Sequence, residues 1–562
     1  MTQPNPSIAQ ARAMVDELRR HGVTLALVSP GSRSAALAIA FEEAAEIEVR
    51  IVLDERSAAF QAIGFARASG RPAVCVSTSG TAVANYLPAM VEADRSLVPL
   101  IAMTADRPPE LRAVGANQTV DQVGMFGNRV RWFCDVGLAD AGFDGNVYWR
   151  TLVSQAVARA MGHGRSPGPV HLNLSFREPT VPVSDDGRAA VEPYRHSIEG
   201  LPDGVPWQTS QVAKPVGAVL EQLNVSRGLV IAGEGIDDPV GLLAETRRLG
   251  WPVLATALSN MRGGPVVTSY HHLLVDDVSR VMMPEAVVSI GRIGPSDRLS
   301  ALTSLDCPQI QIDRWGQWHD PRRHSDVLTQ ADPTATLGLT EGRPDPGWLE
   351  LWSALDTRVR DVLDDRLDDG SDLTGPVIAR SISEVGWGAL SVASSMPVRD
   401  VDAHTVKGGR VFANRGASGI DGFTSTTLGI AGVHRRTLGL SGDLSFLHDV
   451  SALAGGYPGD VVLIVVDNNG GGLFDLLPPA THSPAFERLF VAPHDKDLVA
   501  VASAFGVGAM TIESRQQLTE ETESRLSEGG AHVLVVPVDR EVELKQRREL
   551  DEAAAMAMSS LS

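Results

Sequence analysis

Gly442-Asp443-Leu444-Ser445 and Asp467-Asn468-Asn469-Gly470-Gly471-Gly472 are the two stretches of this sequence that decide its fold. Each follows an apolar run, Thr437–Leu440 for the first and Asp460–Val466 for the second, and Asn468 comes 25 residues after Asp443. A helix fits into that interval. Both stretches can therefore lie at the carboxyl ends of adjacent parallel strands, which is the edge where open α/β sheets bind ligands.

The oxygen atoms of these stretches predict a metal site. The carboxylate of Asp443, the side-chain oxygen of Asn468 and the carbonyl of Gly470 are hard ligands. They suit Mg²⁺ or Mn²⁺, and Mg²⁺ usually takes its remaining ligands from phosphate and water. The backbone N–H groups of Gly442, Leu444 and Ser445 are candidates to bind phosphate oxygens. Gly-Asp or Asn-Gly alone is more often a simple turn, but this spacing behind two strands favours a site.

Apolar runs alternate with helical stretches along the whole chain, which predicts parallel sheets covered by helices on both faces. Turn-rich stretches near residues 180–210 and 342–347 interrupt the alternation. We therefore expect three α/β domains, at residues 1–185, 205–340 and 348–562. The first should open with a helix capped by Ser7 and ended at Gly22.

The predicted strands are short runs rich in β-branched residues. In the first domain they are Thr24–Ser29, Val49–Leu53, Pro72–Ser77, Val98–Thr104 and Pro169–Leu174. In the second they are Gly228–Gly233, Pro252–Thr256, Ala286–Gly291 and Gln309–Asp313. In the third they are Ala389–Ser395, Gly409–Asn414, Thr437–Leu440, Asp460–Val466 and His532–Val538.

Composition excludes several classes of protein. The 562 residues include 49 basic and 69 acidic ones, a net charge of −20, so nucleic acid is not an expected partner. The three cysteines are far apart and form no C-x-x-C pair, which argues against a disulfide framework and a zinc site. No apolar run approaches the roughly 18 residues of a membrane span, and the sequence opens without a secretory signal. We expect a cytoplasmic protein.

The two opening stretches resemble the motif of thiamine diphosphate enzymes, in which Gly-Asp-Gly is followed about 25 residues later by Asn-Asn. Leu444 stands where the motif usually has its second Gly. The family also uses a Glu from another α/β domain, and Glu55 in Leu53-Asp54-Glu55-Arg56 matches it. Alone, Glu55 is explained as an acid favoured at a helix N-terminus; together with the metal motif, the functional interpretation is preferred. The resemblance implies a pyrimidine-binding, a middle and a diphosphate-binding domain.

Further stretches narrow the resemblance to the 2-succinyl-5-enolpyruvyl-6-hydroxy-3-cyclohexene-1-carboxylate synthase family, over nearly the whole chain. They are Ser29–Arg33, Thr104–Pro108, Gly115–Thr119, Ser394–Asp400, Asn414–Gly422 and Asp467–Phe474. The resemblance implies decarboxylation of 2-oxoglutarate and addition of the resulting succinic semialdehyde carbanion to isochorismate, a step of menaquinone biosynthesis.

The resemblance also implies roles for individual residues. The expected catalytic residues are Glu55, Gln118, Arg399 and Arg415. The expected substrate-binding residues are Ser32, Arg33, Arg107, Asn117, Gln118, Arg292, Ser395, Arg399, Arg415, Leu473 and Phe474. The residues expected to bind thiamine diphosphate are Glu55, Gly416, Ile420, Gly442, Asp443, Leu444, Ser445, Asn468 and Gly470. Independently of the family, arginines at strand ends predict a site for carboxylates, because a guanidinium fork binds a carboxylate bidentately.

Two alternatives remain at this point. The chain could be another thiamine diphosphate enzyme, either a 2-oxoacid decarboxylase or one similar to acetohydroxyacid synthase, and its preference for pyruvate or 2-oxoglutarate would decide. It could also be a non-catalytic scaffold subunit, although the intact Glu55, Asp443 and Asn468 argue against that. The family resemblance implies a homodimer or homotetramer with active sites between chains.

Overall fold

The computed structural model describes residues 5–139, 146–182, 199–274, 282–368, 372–405, 409–456 and 459–559. The chain divides into two compact units. The first comprises Met1–Val212, Asn414–Arg435 and Ser445–Gly459, and the second comprises Ala213–Ala413, Arg436–Leu444 and Asp460–Ser562.

The first unit contains a six-stranded parallel sheet in the order β2-β1-β3-β4-β6-β5. Side chains alternate across it, so Ala26 and Val28 enter one apolar core while Leu25 and Leu27 enter the other. The strands are β1 (Leu25–Val28), β2 (Glu48–Ile51), β3 (Ala73–Ser77), β4 (Leu100–Asp106), β5 (Trp132–Gly137) and β6 (Pro169–Ser175). The helices of this unit include Pro6–Arg20, Ala35–Glu43, Glu55–Ser69, Thr81–Ala84, Leu87–Ser96, Asn146–Ala160 and Phe423–Ala431.

The second unit contains two further parallel sheets. One has the order β11-β10-β9-β7-β8 and the other the order β13-β12-β14-β15-β17-β16. The strands of the former are β7 (Gly228–Ala232), β8 (Val253–Ala255), β9 (Ala286–Ile290), β10 (Gln309–Asp313) and β11 (Val327–Gln330). Those of the latter are β12 (Ala389–Val392), β13 (Arg410–Ala413), β14 (Thr437–Gly442), β15 (Val461–Asp467), β16 (Gly508–Thr511) and β17 (Ala531–Pro537).

Helices accompany both of these sheets. Those that follow strands of the β7–β11 sheet are Pro239–Leu249, Tyr270–Leu273, Asp297–Leu302, Pro333–Gly338 and Pro346–Asp368. The helices that precede, separate or follow the strands β12–β17 are Gly375–Ile382, Met396–His404, Asp443–His448, Pro479–His482, Leu498–Ala504, Arg515–Glu528 and Arg540–Ser559. None of the helices in the described residues is both long and apolar enough to cross a membrane.

The structure differs from the sequence prediction in identifiable places. The first helix is capped by Asn5, whose side chain accepts from the N–H groups of Ser7 and Ile8, so the expected Ser7 cap was wrong. Strands β5, β11 and β16 were not predicted. The three predicted domains each contain one sheet, but the two compact units do not follow the predicted boundaries, which stay a prediction.

Two helices of the first unit approach each other through glycine. A Cβ atom on Gly64 would lie 2.0 Å from the carbonyl oxygen of Thr426, and one on Gly429 would lie 2.1 Å from that of Gln61. No side chain fits at either position. The helix that begins at Glu55 and the helix Phe423–Ala431 therefore pack backbone against backbone.

Candidate active site

Asp443 is a buried carboxylate at the carboxyl end of β14, in the second unit. It is 1% exposed. Its Oδ2 accepts the N–H of Gly470 at 2.8 Å, and its Oδ1 accepts the N–H of Leu444 at 2.6 Å. Burial raises the pKa of Asp443, while these hydrogen bonds and the neighbouring His494 oppose the rise. A cation beside the carboxylate would further offset the cost of burying its charge.

Asp467 and His494 lie beside Asp443, and the sequence had not predicted either of them as a metal ligand. The His494 Nε2 is 3.2 Å from Asp443 Oδ2 and 3.9 Å from Asp467 Oδ1. One ligand atom from each of these three residues lies within 4.8 Å of the others, close enough to hold a metal ion. Asp467 directly precedes the predicted ligand Asn468, so its position offered a signal. Nothing in the sequence pattern pointed to His494.

Asn469 explains how His494 reaches this place. Its side-chain oxygen accepts the N–H groups of His494 at 3.0 Å and Asp495 at 2.9 Å, and its amide donates to Asp495 at 2.8 Å. Asn469, the second Asn of the Asn-Asn pair, therefore holds the backbone at His494 and Asp495, and His494 lies beside Asp443.

The glycines after Asn469 are required by space. Gly470 has a φ of +136°, and a Cβ there would lie 2.2 Å from the carbonyl oxygen of Val491. A Cβ on Gly472 would lie 2.5 Å from the Asn468 amide nitrogen. The carboxylate of Asp443, the Asn468 amide and the backbone of Gly470 thus gather at one strand edge. This oxygen-rich set fits Mg²⁺, and coordination by Asp443, Asn468 and Gly470 stays a prediction.

Leu473 and Phe474 lie on the short helix Gly472–Leu476, and both are half-buried. The Phe474 ring packs against the Phe490 ring at 5.7 Å. Arg540 bridges the same region, because its guanidinium donates to the carboxylates of Asp475 and Glu487. Leu473 and Phe474, both predicted to bind substrate, therefore lie on a segment that Arg540 ties to Glu487 through ion pairs with Asp475 and Glu487.

Arg399 lies on the helix Met396–His404, after β12. Its Nη1 donates to the carbonyl oxygen of Ser395 at 2.7 Å, so these two predicted site residues meet. Ser395 has a φ of +77°, a strained conformation of the kind found at functional sites. Burial lowers the pKa of the Arg399 guanidinium, and the charges of Asp297 and Asp400 oppose the change.

Arg292 follows β9 and lies 3.5 Å from Glu234. It lines a cavity of about 300 Å³ together with Trp318 and His319. The lining of this cavity includes none of the other predicted site residues. The assignment of Arg292 to substrate binding therefore stays a prediction.

In the first unit, Arg33 and Arg107 form a pair of buried cations, 9% and 7% exposed. Burial and the positive charge of Arg33 both lower the pKa of Arg107, which shows that the two groups are electrostatic neighbours. Arg33 pairs with Glu178 at 3.1 Å. Arg107 donates to the hydroxyl of Ser79.

Ser79 connects Arg107 to Gln118. The Ser79 hydroxyl donates to the Gln118 carbonyl, and the Gln118 amide donates to the Ser79 carbonyl, both at 3.0 Å. Ser79 was not predicted, although it follows β3 within Ser77-Thr78-Ser79-Gly80. Ser32 and Asn117 are exposed, and the Ser32 carbonyl accepts the Thr180 hydroxyl at 3.3 Å.

Glu55 and the segment around Arg415 also belong to the first unit. Glu55 begins the helix Glu55–Ser69 and is half-buried, and its Oε2 accepts from Asn85 at 3.3 Å. Arg415 and Gly416 are half-buried, while Ile420 is 40% exposed. All three precede the helix Phe423–Ala431, which packs against the Glu55 helix.

Asp443 provides a direct test of the metal site. In Asp443→Asn, the loss of one charge-assisted contact costs about 1.5–3 kcal/mol, or roughly ten- to a hundredfold in affinity. We expect thiamine diphosphate to bind the apoprotein that much more weakly in Mg²⁺ when titrated by calorimetry. The matched control is Asp365→Asn, which makes the same charge change at an exposed position of the helix Pro346–Asp368. Equal affinities of both variants and the wild type would exclude Asp443 as a ligand.

Comparison with known proteins identifies the family of the chain. Residues 9–125 match the N-terminal TPP-binding domain of thiamine pyrophosphate enzymes, and residues 404–536 match the C-terminal one. The chain is similar to a 2-succinyl-5-enolpyruvyl-6-hydroxy-3-cyclohexene-1-carboxylate synthase of Thermobifida fusca (strain YX), with 41% identity covering 99% of this chain and 100% of the other. A protein of the same name from Saccharopolyspora erythraea is 37% identical, covering 95% of this chain and 96% of its own.

Among solved structures, benzoylformate decarboxylase from Polynucleobacter necessarius has a TM-score of 0.68 at 17% identity, covering 96% of this chain and 99% of the other. At that identity the likeness concerns the fold alone, and it confirms the predicted α/β class. The identity with the synthases extends over both whole chains. The chain therefore belongs to the thiamine diphosphate-dependent family of 2-succinyl-5-enolpyruvyl-6-hydroxy-3-cyclohexene-1-carboxylate synthases.

Proposed function

We propose that the chain decarboxylates 2-oxoglutarate and adds the remaining four-carbon unit to the ring alkene of isochorismate, releasing CO₂ and the product for which the family is named. The step belongs to menaquinone biosynthesis. The near-full-length identity with synthases of that name carries the proposal. The buried arginines Arg33 and Arg107 support it, because both substrates are multiply charged carboxylates.

Thiamine diphosphate, when bound, supplies the electron sink that allows a 2-oxoacid to lose CO₂ and form a new carbon–carbon bond. In our proposal the protein holds its diphosphate through a divalent cation on Asp443, Asn468 and Gly470. The backbone N–H groups of Gly442, Leu444 and Ser445 complete the anion site. The buried carboxylate of Asp443 supports this role.

Glu55 is the proposed catalytic carboxylate. It would accept a hydrogen bond from N1′ of the aminopyrimidine and so favour the tautomer whose nitrogen acts as a base. Its position at the start of a helix, with a long 3.3 Å hydrogen bond from Asn85, leaves acceptor capacity for the cofactor. Ile420 is the proposed apolar support for the bound cofactor, and Gly416 is proposed to contact the cofactor as well.

The remaining residues divide between the two substrates. Ser32, Arg33, Arg107, Asn117 and Gln118 are proposed to bind isochorismate. The bonds of Arg107 and Gln118 to Ser79 support their grouping. For the 2-oxoglutarate side we propose Arg292, Ser395, Arg399, Arg415, Leu473 and Phe474. The apolar Leu473 and Phe474 would exclude water from the reacting carbon.

We also propose that two chains pair, as a homodimer or within a homotetramer, so that Glu55 of one protomer completes the metal site of its partner. Large apolar side chains near Glu55 in sequence support this pairing. Ile51 is 58% exposed and Leu53 is 75% exposed. Exposed apolar residues of this size mark interaction surfaces when they cluster. We place the enzyme in the cytoplasm, a reducing compartment that suits its free cysteines Cys75, Cys134 and Cys307.

Glu55→Gln tests the catalytic proposal. Glutamine keeps the shape of the side chain but cannot drive the tautomer, so we expect kcat to fall by roughly 10²–10⁴-fold. The melting temperature should stay close to that of the wild type. Steady-state CO₂ release measures the loss, and Glu43→Gln, at an exposed carboxylate paired with Arg12, is the control. A Glu55→Gln enzyme within threefold of the wild type would refute the assignment.

Mixing two impaired variants, at a thiamine diphosphate concentration too low to load Asp443→Asn, tests the pairing. If Glu55 and Asp443 of one site come from different chains, a Glu55→Gln chain and an Asp443→Asn chain regain activity after they are unfolded and refolded together. Equal mixing should restore about a quarter of wild-type activity, because half the dimers are mixed and each mixed dimer has one intact site. No recovery, although an affinity tag on one chain co-purifies the other, would mean that both residues serve a site within one chain.

Arginine variants test how the site divides between substrates. Loss of one charge-assisted contact costs about 1.5–3 kcal/mol, or roughly ten- to a hundredfold. Arg399→Ala should raise the KM for 2-oxoglutarate by that factor and change the KM for isochorismate little, whereas Arg107→Ala should do the reverse. Lysine at either position should rescue poorly, since a point charge cannot reproduce the fork. Equal effects on both KM values would refute this division, and a preference for pyruvate would refute the substrate.

A further inference from the structure

A buried carboxylate in the first unit lies against the segment that carries Arg415. Glu92, on the helix Leu87–Ser96, is 2% exposed. One of its oxygens accepts the N–H of Gly416 at 2.9 Å, and the other accepts the N–H of Ala417 at 2.7 Å. Both oxygens of one carboxylate thus bind consecutive backbone groups directly after Arg415.

Two side chains complete the environment of Glu92. The Ser96 hydroxyl donates to it at 2.6 Å, and Arg67, from the helix that begins at Glu55, donates to it at 3.1 Å. The ion pair is buried on both sides, since the Arg67 and Glu92 side chains are 9% and 3% exposed. A buried charge with this many partners is strongly tied to its geometry, because removing the Glu92 carboxylate would take the acceptor from all of them at once.

Gly416 shows how closely the segment rests on the helix. A Cβ at this position would lie 2.5 Å from the Ser96 hydroxyl and 2.6 Å from the Glu92 carbonyl oxygen. The backbone of the segment is therefore seated directly on the helix Leu87–Ser96. Its path is set by contact as well as by hydrogen bonds.

We infer that Glu92 is a positioning residue, which fixes the backbone after Arg415 and thereby aims the Arg415 side chain at the 2-oxoglutarate-derived carboxylate. The inference rests on the proposed role of Arg415. A carboxylate suits the task because it accepts at both oxygens. The amide of glutamine accepts at one atom only, and its NH₂ group would face a backbone N–H.

Kinetics of Glu92→Gln test the inference. We expect the KM for 2-oxoglutarate to rise about tenfold, while the KM for isochorismate stays within about twofold. Arg415→Ala should raise the same KM, and adding Glu92→Gln to it should raise that KM little further, because residues that act through one contact are not additive. Glu92→Asp, which keeps both oxygens and the charge, should fall between wild type and Glu92→Gln and serves if Glu92→Gln does not fold.

Hydrogen exchange supplies a readout besides activity. The amide protons of Gly416 and Ala417 are protected by Glu92 in the wild type, so peptides covering residues 414–422 should exchange about tenfold faster in Glu92→Gln. Mass spectrometry of peptides, produced by quenching and digesting the enzyme after deuteration in its folded state, measures this rate.

Glu17 offers a matched control in the same unit. It is a fully buried carboxylate that accepts from the backbone N–H of Trp207, the hydroxyl of Ser154 and the guanidinium of Arg150. Glu17→Gln should lower the melting temperature about as much as Glu92→Gln does. It should change neither the KM for 2-oxoglutarate nor that for isochorismate, and it should not change hydrogen exchange at residues 414–422.

The outcomes separate the inference from the proposed function. If Arg415→Ala leaves the KM for 2-oxoglutarate unchanged, the role of Arg415 is wrong, whatever Glu92→Gln does. If Arg415→Ala raises that KM but Glu92→Gln raises neither KM, or both equally as a general loss of stability would, the inference is overturned. It is likewise overturned if exchange at residues 414–422 is unaltered in Glu92→Gln.

Discussion

A parallel strand covered on both faces can present charged groups only at its ends, and this constraint locates the charged residues of the proposed site. Strands β1, β4 and β12 are buried along their whole lengths. The first charged residue after β1 is Arg33, Arg107 directly follows β4, and Asp443 directly follows β14. Because the strands of each sheet run the same way, their polar loops collect at one edge without any specific contact between those loops.

Within the first unit, close backbone packing between two helices fixes the positions of the segments that precede those helices. Gly64 and Gly429 let the helix beginning at Glu55 touch the helix Phe423–Ala431 without intervening side chains. Glu92 then binds the segment that precedes the second helix, and Arg67 of the first helix neutralises its charge. Gly64 and Gly429 determine how closely the two helices approach. The Glu92 carboxylate, paired with Arg67, fixes the backbone that precedes the helix Phe423–Ala431. Glu55 and Arg415 are therefore carried by elements that pack directly against each other.

Most of the fold was predictable because central strands are continuous apolar runs. The strands that the sequence did not reveal, β5, β11 and β16, all lie at sheet edges and are largely half-exposed, so no apolar run marks them. The site divides in the same way. Asp443 was predictable because it follows a strand within a local motif. The approach of His494 depends on the hydrogen bonds that the backbone N–H groups of His494 and Asp495 donate to the side-chain oxygen of Asn469, 25 residues earlier, and no local pattern encodes these.

The arginine pair suggests how a protein of net charge −20 could bind the multiply charged anions of the proposed reaction. Arg33 and Arg107 repel each other in a buried place, and the lowered pKa of Arg107 reflects that cost. Glu178 offsets part of it through one contact to Arg33, yet the Arg33 Nε is buried without a hydrogen-bond acceptor among the described residues. Asp106 and Glu178 also face the pair and oppose the lowering of the Arg107 pKa. In the proposed site, a carboxylate ligand would add a further negative charge and recover part of the free energy spent on holding two cations side by side. The local charge rather than the net charge would then select the ligand.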